Sequence, residues 1–357
     1  MNYTKSELDA IVLDSFDELT YKVKLHVTEG FRYSAPCKKY ADFLIKTVGE
    51  GVYNKIRDLF YSQKYRGEVL SSLEERGIVC VTYFSEDYPE KLRAIPVPPL
   101  VLYCKGDTRL LGERSFGVVG SRRTLPNVLK ACRKISSQLA EKFALVTGTA
   151  DGADTAAAEG ALDSGRLIFV AAQGLDHIYP AGSERLYKLA AEKGLLISEQ
   201  RPQTAARAYL FPVRNRLIAA LSEGVLVVSA GEKSGAAITA EYAFEYGKDV
   251  FCFPYSPGVP SGAGCNRLIK KGAYLTENIL DIFSAFGLDF TAQNKAPLTE
   301  RERQVLDAVT SLGEAHISQI ASSLSCQTFE LLAELSSLEV KGLIARLGGN
   351  RYSALQS

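Results

Sequence analysis

Between residues 115 and 255, six short apolar runs alternate with longer segments of helical character. The runs are continuously apolar rather than alternating, which is typical of strands covered on both faces of a parallel sheet. In the first intervening segment, Val128, Cys132, Ile135 and Leu139 share one helix face. This rhythm predicts an α/β fold with a Rossmann-like, doubly wound parallel sheet. The runs are FGVVGS, FALVTGT, LIFVAAQG, LLISE, GVLVVSAG and DVFCFP.

Five of the six runs carry glycine, serine or threonine at or directly before their last residue. Loops at the carboxyl ends of such strands form the ligand crevice, where small residues let a ligand reach backbone N–H groups and helix N-termini. Turn and cap preferences explain any single loop, but their repetition along one edge favours a phosphate-bearing ligand. The candidate residues in these loops are Gly120, Ser121, Gly148, Gly152, Ser234 and Gly235.

Neither a dinucleotide cofactor nor a nucleoside triphosphate is predicted. VVGSRR lacks the Gly-x-Gly-x-x-Gly spacing, and the chain has no Gly-Lys-Ser/Thr phosphate loop. The seven cysteines are scattered without a Cys-x-x-Cys pair, so we predict reduced thiols and no metal site. No run reaches the ~18 apolar residues of a membrane span, and no secretory leader is evident. The sequence therefore predicts a cytoplasmic protein with no membrane association.

The stretch FPVRNRLIAALS, residues 211–222, concentrates positive charge in a chain whose net charge is only +1. Arg214 and Arg216 can fork onto phosphate oxygens, Asn215 can bond a base edge or the backbone, and Phe211 can stack on a base. Single-stranded nucleic acid requires this combination of cations and aromatic surfaces. We expect Arg122, Arg123 and Arg207 to share the same crevice. The alternative is that these arginines pair with acids at the sheet edge, such as Glu199 or Asp154.

The flanking regions suggest two further domains. The sequence predicts an N-terminal helical domain over residues 1–67. It predicts the Rossmann-like domain over residues 68–287 and a polar linker over residues 288–297. Residues 298–357 predict three helices and a hairpin with a GGN turn, which is the layout of a winged helix. This last segment has five basic and seven acidic residues, so protein contact or autoregulation is favoured over reading of duplex DNA.

The motifs together resemble the DNA-processing DprA (Smf) family over about residues 85–280. The residues that carry the resemblance are DYPEKLRAIPVPPLVLYCKGD, VVGSRR, TGTADGADTAA, GLDHIYP, LISE, FPVRNRLIAALS, SGAAITAEYA, DVFCFP and GCNRLIKKGA, in order and with spacing kept. The resemblance implies a non-enzymatic protein that binds single-stranded DNA without sequence preference and delivers it to the RecA recombinase in natural transformation. It also implies an extended Rossmann fold and a homodimer built through that domain. The chain departs from the family pattern at Asp151, Ala158, Ser229 and Tyr255.

Two alternatives remain open at this point. The stretch 266–283 is amphipathic, and Leu268 and Ile269 are candidates for the dimer contact or for internal packing. SGAAITAE also places Thr239 and Glu241 at a spacing similar to that in lysine-decarboxylase-like phosphoribohydrolases, which act on nucleotides. The Pro-Gly-Gly of those enzymes is missing from this loop.

Overall fold

Residues 3–20, 23–24, 26–27, 40–232, 234–288, 298–341 and 343–355 are described by the computed structural model. The chain forms two compact units, Met1–Gly287 and Leu288–Ser357. Of the predicted linker 288–297, Leu288 is described and residues 289–297 lie outside the described residues. The first unit therefore contains both the N-terminal helices and the large sheet.

Helices make up the start of the first unit. The first helix begins with a capping box, in which Thr4 and Glu7 satisfy each other's backbone N–H groups. The fourth helix passes through residue 67, where the sequence suggested that the N-terminal region ends. The described helices of this region are α1 (Lys5–Asp14), α2 (Ala41–Val48), α3 (Glu50–Tyr61) and α4 (Gln63–Glu75).

A nine-stranded sheet forms the centre of the first unit, with the order β1-β2-β6-β5-β4-β3-β7-β8-β9. The seven strands from β6 to β9 in this order are parallel, whereas β2 pairs antiparallel with both β1 and β6. The strands are β1 (Val79–Thr82), β2 (Val101–Gly106), β3 (Ser115–Val119), β4 (Ala144–Thr147), β5 (Leu167–Val170), β6 (Leu195–Ser198), β7 (Gly224–Val227), β8 (Asp249–Cys252) and β9 (Tyr274–Leu275).

Helices cover the sheet and bury its apolar strands. Every residue of β3 to β7 is buried, as the continuous apolar runs predict. The remaining helices of the unit are α5 (Glu90–Arg93), α6 (Pro126–Leu139), α7 (Ala153–Ala161), α8 (Glu184–Lys193), α9 (Leu210–Leu221), α10 (Gly235–Glu245), α11 (Ala263–Lys270) and α12 (Ile279–Ala285). Short 3₁₀ turns lie at Thr108–Gly112, Leu162–Ser164, Ala181–Ser183 and Pro260–Gly262.

The strand order reverses at β3. From β3 the chain winds outward through β4, β5 and β6, and then returns through α9 to place β7 on the other side of β3. A reversal of this kind leaves a crevice at the carboxyl ends of the two strands, since their connections run in opposite directions. The fold therefore positions a candidate site beside β3 and β7.

The second unit has its own apolar core and a small antiparallel sheet of order β10-β12-β11. A turn with positive φ at Gly349 (71°) and Asn350 (58°) joins its last two strands, as the GGN motif predicts. The elements are α13 (Glu300–Leu312), β10 (Ala315–His316), α14 (Ile317–Ser323), a 3₁₀ turn (Thr328–Leu331), α15 (Leu332–Val340), β11 (Ile344–Leu347) and β12 (Arg351–Ala354).

The predicted fold class is confirmed: a mostly parallel, doubly wound α/β sheet with N-terminal helices and a C-terminal winged helix. Among the described helices, none combines the length and apolar character that crossing a bilayer requires.

Candidate nucleic-acid interface

A cleft of about 490 Å³ opens at the carboxyl edge of the sheet where the strand order reverses. We call it the switch-point cleft. It is bounded by the loops after β3 and β7 and by the starts of α9 and α10. Among the predicted binding residues, those that line it are Gly120, Ser121, Arg122, Arg123, Phe211, Arg214, Asn215, Ser234 and Gly235.

Hydroxyl groups fix the loop that follows β3. The N–H of Ser121 donates to Oγ of Ser229 at 2.9 Å, and the hydroxyls of Thr124 and Ser229 are 2.6 Å apart. Ser229 follows β7, so these bonds tie together the two loops that border the cleft. Arg122 and Arg123, which follow Ser121, remain exposed at the rim.

Two glycines allow close packing of the backbone around the cleft. A Cβ at Gly120 would lie 2.5 Å from Cβ of Ala153, and a Cβ at Gly152 would lie 2.5 Å from the carbonyl oxygen of Arg122. Gly152 also has φ of +81°, a conformation that favours glycine. It immediately precedes α7, while Ser234 caps α10 through the N–H of Ala236 at 3.2 Å. Two helix N-termini thus lie near the cleft, where they favour an anion.

Arg214 lies beneath the cleft and is only 4% exposed. Its Nη1 donates to the carbonyl oxygen of Val170 at the end of β5, and its Nε donates to Oδ1 of Asn215 at 3.1 Å. A Cβ at Gly148 would lie 2.5 Å from Nη2 of Arg214, so glycine makes room for the guanidinium. Arg214 therefore ties α9 to the end of β5 and supplies positive charge from below.

Asp154 is the buried acid nearest to this arginine. Its Oδ2 accepts from the N–H of Ala150 at 3.3 Å and, like Arg214, closely approaches Gly148. Burial raises the pKa of Asp154 to about 6, and the positive charge of Arg214 partly opposes this rise. Burial also lowers the pKa of Arg214. The charge beneath the cleft consequently depends on pH close to neutrality.

Asn215 links two helices. Its Nδ2 donates to the carbonyl oxygen of Gly235 at 3.0 Å, while its Oδ1 accepts from Arg214. These bonds join α9 to the first residue of α10 at the edge of the cleft. Asn215 thus uses both ends of its amide to hold α9 against the start of α10, and these two helices border the cleft.

An arginine–aromatic stack stands beside the switch-point cleft. The guanidinium carbon of Arg122 is 5.2 Å from the ring centroid of Phe211, and the ring of Tyr179 meets Phe211 edge-on with centroids 5.5 Å apart. These three residues and the exposed Arg207 line a second space of about 400 Å³, which we call the aromatic cleft. Stacking surfaces and cations therefore occur side by side, as single-strand binding requires.

Comparison with known proteins assigns the chain to a family. Residues 79–287 match the family model for DNA recombination-mediator protein A, and residues 291–350 match the DprA winged helix domain. The chain belongs to the DprA family. The resemblance in the sequence motifs is thereby confirmed.

Individual DprA proteins are similar over large parts of the chain. DNA processing protein DprA of Bacillus subtilis is 38% identical over 218 residues, which are 60% of this chain and 73% of that protein. The X-ray structure of DprA from Streptococcus pneumoniae has a TM-score of 0.68 at 29% identity and covers 81% of this chain and 100% of that chain. The Helicobacter pylori DNA processing protein A, studied for its single-stranded DNA binding mode, has a TM-score of 0.54 at 31% identity, covering 58% and 95%.

The structure shows where the four residues lie that the sequence analysis distinguished from the family pattern. Ser229 forms the loop contacts described above, and the hydroxyl of Tyr255 donates to the carbonyl oxygen of Val228 at 2.7 Å. Ala158 is buried within α7, whereas Asp151 is exposed beside Gly152. Two of the four departures thus help to hold the loop after β7.

Arg216 lies away from the switch-point cleft. Its guanidinium pairs with Glu199, and the two side chains are 8% and 9% exposed. Burial raises the pKa of Glu199, and the charge of Arg216 opposes that rise. This pairing is the alternative that the sequence left open for the arginines of FPVRNR, and it applies to Arg216. We therefore do not include Arg216 among the proposed DNA contacts.

The candidate dimer residues also have positions different from those expected. Leu268 lies in the buried core, and Ile269 packs against that core. Their apolar side chains are used internally, as the second alternative for this stretch proposed. The exposed apolar residues of the same stretch are Tyr274, Leu275 and Leu280.

Several residues of the site were missed by sequence reasoning. Tyr179 lies in the GLDHIYP motif. An aromatic residue directly before a proline in a polar loop could have identified it as a candidate stacking residue. Thr124 had no such signal, because its partner Ser229 is 105 residues away. Asp154 was considered only as an acid that pairs with an arginine, and its burial was not foreseen.

The nucleotide-hydrolase alternative gains little from the geometry. Thr239 is buried at the back of the switch-point cleft, with its hydroxyl 3.5 Å from the carbonyl oxygen of Gly235. Glu241, the acid that this alternative requires, is exposed and does not line the cleft. The arrangement therefore favours binding over acid catalysis by Glu241.

Proposed function

We propose that this protein binds single-stranded DNA without sequence preference across the switch-point and aromatic clefts. The observation that carries the proposal is the stack of Arg122 on Phe211 where the two clefts meet. The guanidinium can contact phosphate while the aromatic rings accept bases, and every base has a face that can stack. The single-stranded DNA binding mode described for the similar Helicobacter pylori protein supports this proposal.

The geometry gives physical reasons for a lack of sequence preference. The helix N-termini of α7 and α10 and the exposed Arg122, Arg123 and Arg207 offer charge, which recognises the phosphate backbone. Asn215, the amide best suited to reading a base edge, already bonds at both ends. The affinity should therefore depend on the length of the strand and on the salt concentration more than on the base sequence.

We further propose that the bound strand is delivered to the RecA recombinase during DNA uptake. The family's description as recombination mediators supports this step. A mediator must hold the strand loosely enough to release it, and contacts made of stacking and rim charges suit that requirement because they exchange readily. We also propose a homodimer, supported by the apolar residues exposed at β9 and α12.

An electrophoretic shift assay tests the DNA proposal. The full chain is titrated onto single- and double-stranded oligonucleotides of equal length and of several sequences, over a series of salt concentrations. We expect at least several-fold preference for single strands and similar affinity among sequences. Equal or tighter binding of duplex would contradict the proposal. Recombinase loading is tested separately by measuring RecA filament formation on strands coated with single-strand-binding protein, with and without this chain.

A further inference from the structure

A third cavity, of about 950 Å³, lies between the N-terminal helices and the segment that follows β6. One wall is formed by residues of α1 and α4 and the other by residues from Glu199 to Arg216. We call it the N-terminal cleft. It is the largest of the three cavities, and neither of the clefts assigned to DNA above accounts for it.

The three cavities are neighbours that share lining residues. Arg122, Phe211, Asn215 and Gly235 line both the switch-point cleft and the aromatic cleft. Arg207 lines both the aromatic cleft and the N-terminal cleft. Arg207 therefore marks the place where a strand that leaves the aromatic cleft would enter the N-terminal cleft.

The charge of the N-terminal cleft is compatible with a polyanion. Its lining includes five cations and three carboxylates, and each carboxylate is held by a cation: Asp14 by Lys24 at 3.1 Å, Asp17 by Arg201, and Glu199 by Arg216. The fourth cation, Arg76, pairs with Asp176 at 2.8 Å. Arg207 is exposed and forms no ion pair among the described residues. The acids are neutralised while Arg207 stays available for phosphate. The five cations are Lys24, Arg76, Arg201, Arg207 and Arg216.

An exposed aromatic side chain follows Arg207 by two residues. Tyr209 lines the N-terminal cleft and is 61% exposed. A single exposed aromatic residue is ordinary on a protein surface. Tyr209 and the unpaired Arg207 line the same cavity, so a cation and an aromatic ring are again available in one cleft on the path of the proposed single strand.

We propose that the N-terminal cleft receives the continuation of the same DNA strand, with Arg207 contacting phosphate and Tyr209 stacking on a base. This inference rests on the proposed function, since it extends the path of the strand from the aromatic cleft. It gives the N-terminal helices a function as the far wall of the binding path. The binding site is then longer than the sheet edge alone provides.

The test is a length series of oligothymidines, from about 4 to about 16 nucleotides, with affinities measured by fluorescence anisotropy on the full chain. Tyr209→Ala should lower the affinity for the longest strands by about 5- to 150-fold, which corresponds to the loss of one base stack. The shortest strands, which fill only the first two clefts, should bind Tyr209→Ala and wild type alike. The matched control is Tyr61→Ala, which removes a tyrosine that is 43% exposed on α3 and should change neither.

The outcomes separate this inference from the proposed function. If Tyr209→Ala binds strands of every length like wild type, while Phe211→Ala binds all of them more weakly, the extended path is wrong and the proposed function stands. A uniform loss for Tyr209→Ala at all lengths would also overturn the extended path. If wild type binds no single strand, both proposals fail. Tyr209→Leu, which also removes the stacking ring, serves as the second variant should Tyr209→Ala unfold, and it should weaken binding of the long strands alone.

Discussion

At the scale of residues, the arginines near the sheet edge divide by burial. Arg122 is exposed and stacks on Phe211, whereas Arg214 is buried beneath the cleft and Arg216 pairs with Glu199 elsewhere. The sequence predicted one crevice for all three arginines. Successive helix residues are about 100° apart, so Arg214 and Arg216 point about 200° apart and cannot both face one cleft. Helical geometry alone therefore excludes the prediction that Arg214 and Arg216 both face one crevice. Only the fold shows which of the two faces it.

Replacing Phe211 with alanine should lower single-strand affinity by about 5- to 150-fold, because a stacking surface is lost. The slope of log affinity against log salt should stay the same, since stacking releases no counterions. Anisotropy titrations over a salt series measure both quantities. Phe244→Ala, which removes an exposed ring on α10 that lines neither cleft, should leave both unchanged. Wild-type affinity in Phe211→Ala would rule out the stacking role.

The buried Asp154 predicts a pH dependence. Its pKa in the folded protein is about 6, above the ordinary 3.8, so the carboxyl gains a proton as pH falls through 6. The charged groups that face it are Arg214 and Arg122. Loss of the negative charge should raise single-strand affinity by about 5-fold, for an interaction of ~1 kcal/mol. Titrations at several pH values should show this rise in wild type and not in Asp154→Asn.

The protonation of Asp154 should also affect the stability of the fold. Its contribution to the unfolding free energy should fall as pH rises. A carboxyl with a raised folded-state pKa stabilises the fold fully below 3.8, and this stabilisation is lost as pH rises through about 6. The difference in unfolding free energy between wild type and Asp154→Asn should therefore change between those pH values. A constant difference over this range would contradict the assigned pKa.

At the scale of elements, the six apolar runs predicted strands β3 to β8 because buried parallel strands have no polar face to interrupt them. The edge strand β9 has two residues and no such pattern, and it was not predicted. The loops around the cleft were predicted by composition only. Their shape depends on contacts such as Ser121 with Ser229, 108 residues apart, which no local pattern encodes.

Gly152→Ala should destabilise the loop between β4 and α7. The residue has φ of +81°, and its Cβ would lie 2.5 Å from the carbonyl oxygen of Arg122. We expect unfolding free energy to fall by about 1–3 kcal/mol, together with weaker single-strand binding. Gly182→Ala is the matched control, because a Cβ there meets nothing within 4 Å. Denaturant unfolding measures the difference, and equal stability of the two variants would count against the packing argument.

At the scale of the whole molecule, a net charge of +1 coexists with a locally positive cleft. Charged residues far from the cleft also enter the net charge. In the winged-helix unit, for example, Glu302 and Lys341 form an ion pair with the charged atoms 2.6 Å apart. Lys341 and two further hydrogen-bond donors lower the pKa of Glu302 to about 2. Net charge therefore gives little information about DNA binding here. In the proposed function the local arrangement of Arg122, Arg207 and Phe211 provides the DNA contacts, and this arrangement requires the assembled sheet.

The proposed dimer makes a separate prediction. Tyr274 and Leu275 lie on the last strand of the sheet, and Leu280 is exposed on α12. Light scattering at roughly tens of micromolar should give twice the mass of one chain for wild type, and the mass of one chain for Leu280→Glu, because a buried charge disrupts an apolar contact. Leu312→Glu, in the winged-helix unit, should remain dimeric. A monomeric wild type would refute the proposal.

The central claim is that Arg122 contacts phosphate of a single strand at the switch-point cleft. The most direct measurement is the salt dependence of oligothymidine binding by wild type, Arg122→Ala and the control Arg109→Ala, whose side chain is 89% exposed on a distant 3₁₀ turn. We predict that Arg122→Ala lowers the slope of log affinity against log salt by about 0.7, the value for one phosphate contact on a single strand. Arg109→Ala should keep the wild-type slope. An unchanged slope in Arg122→Ala would contradict the account.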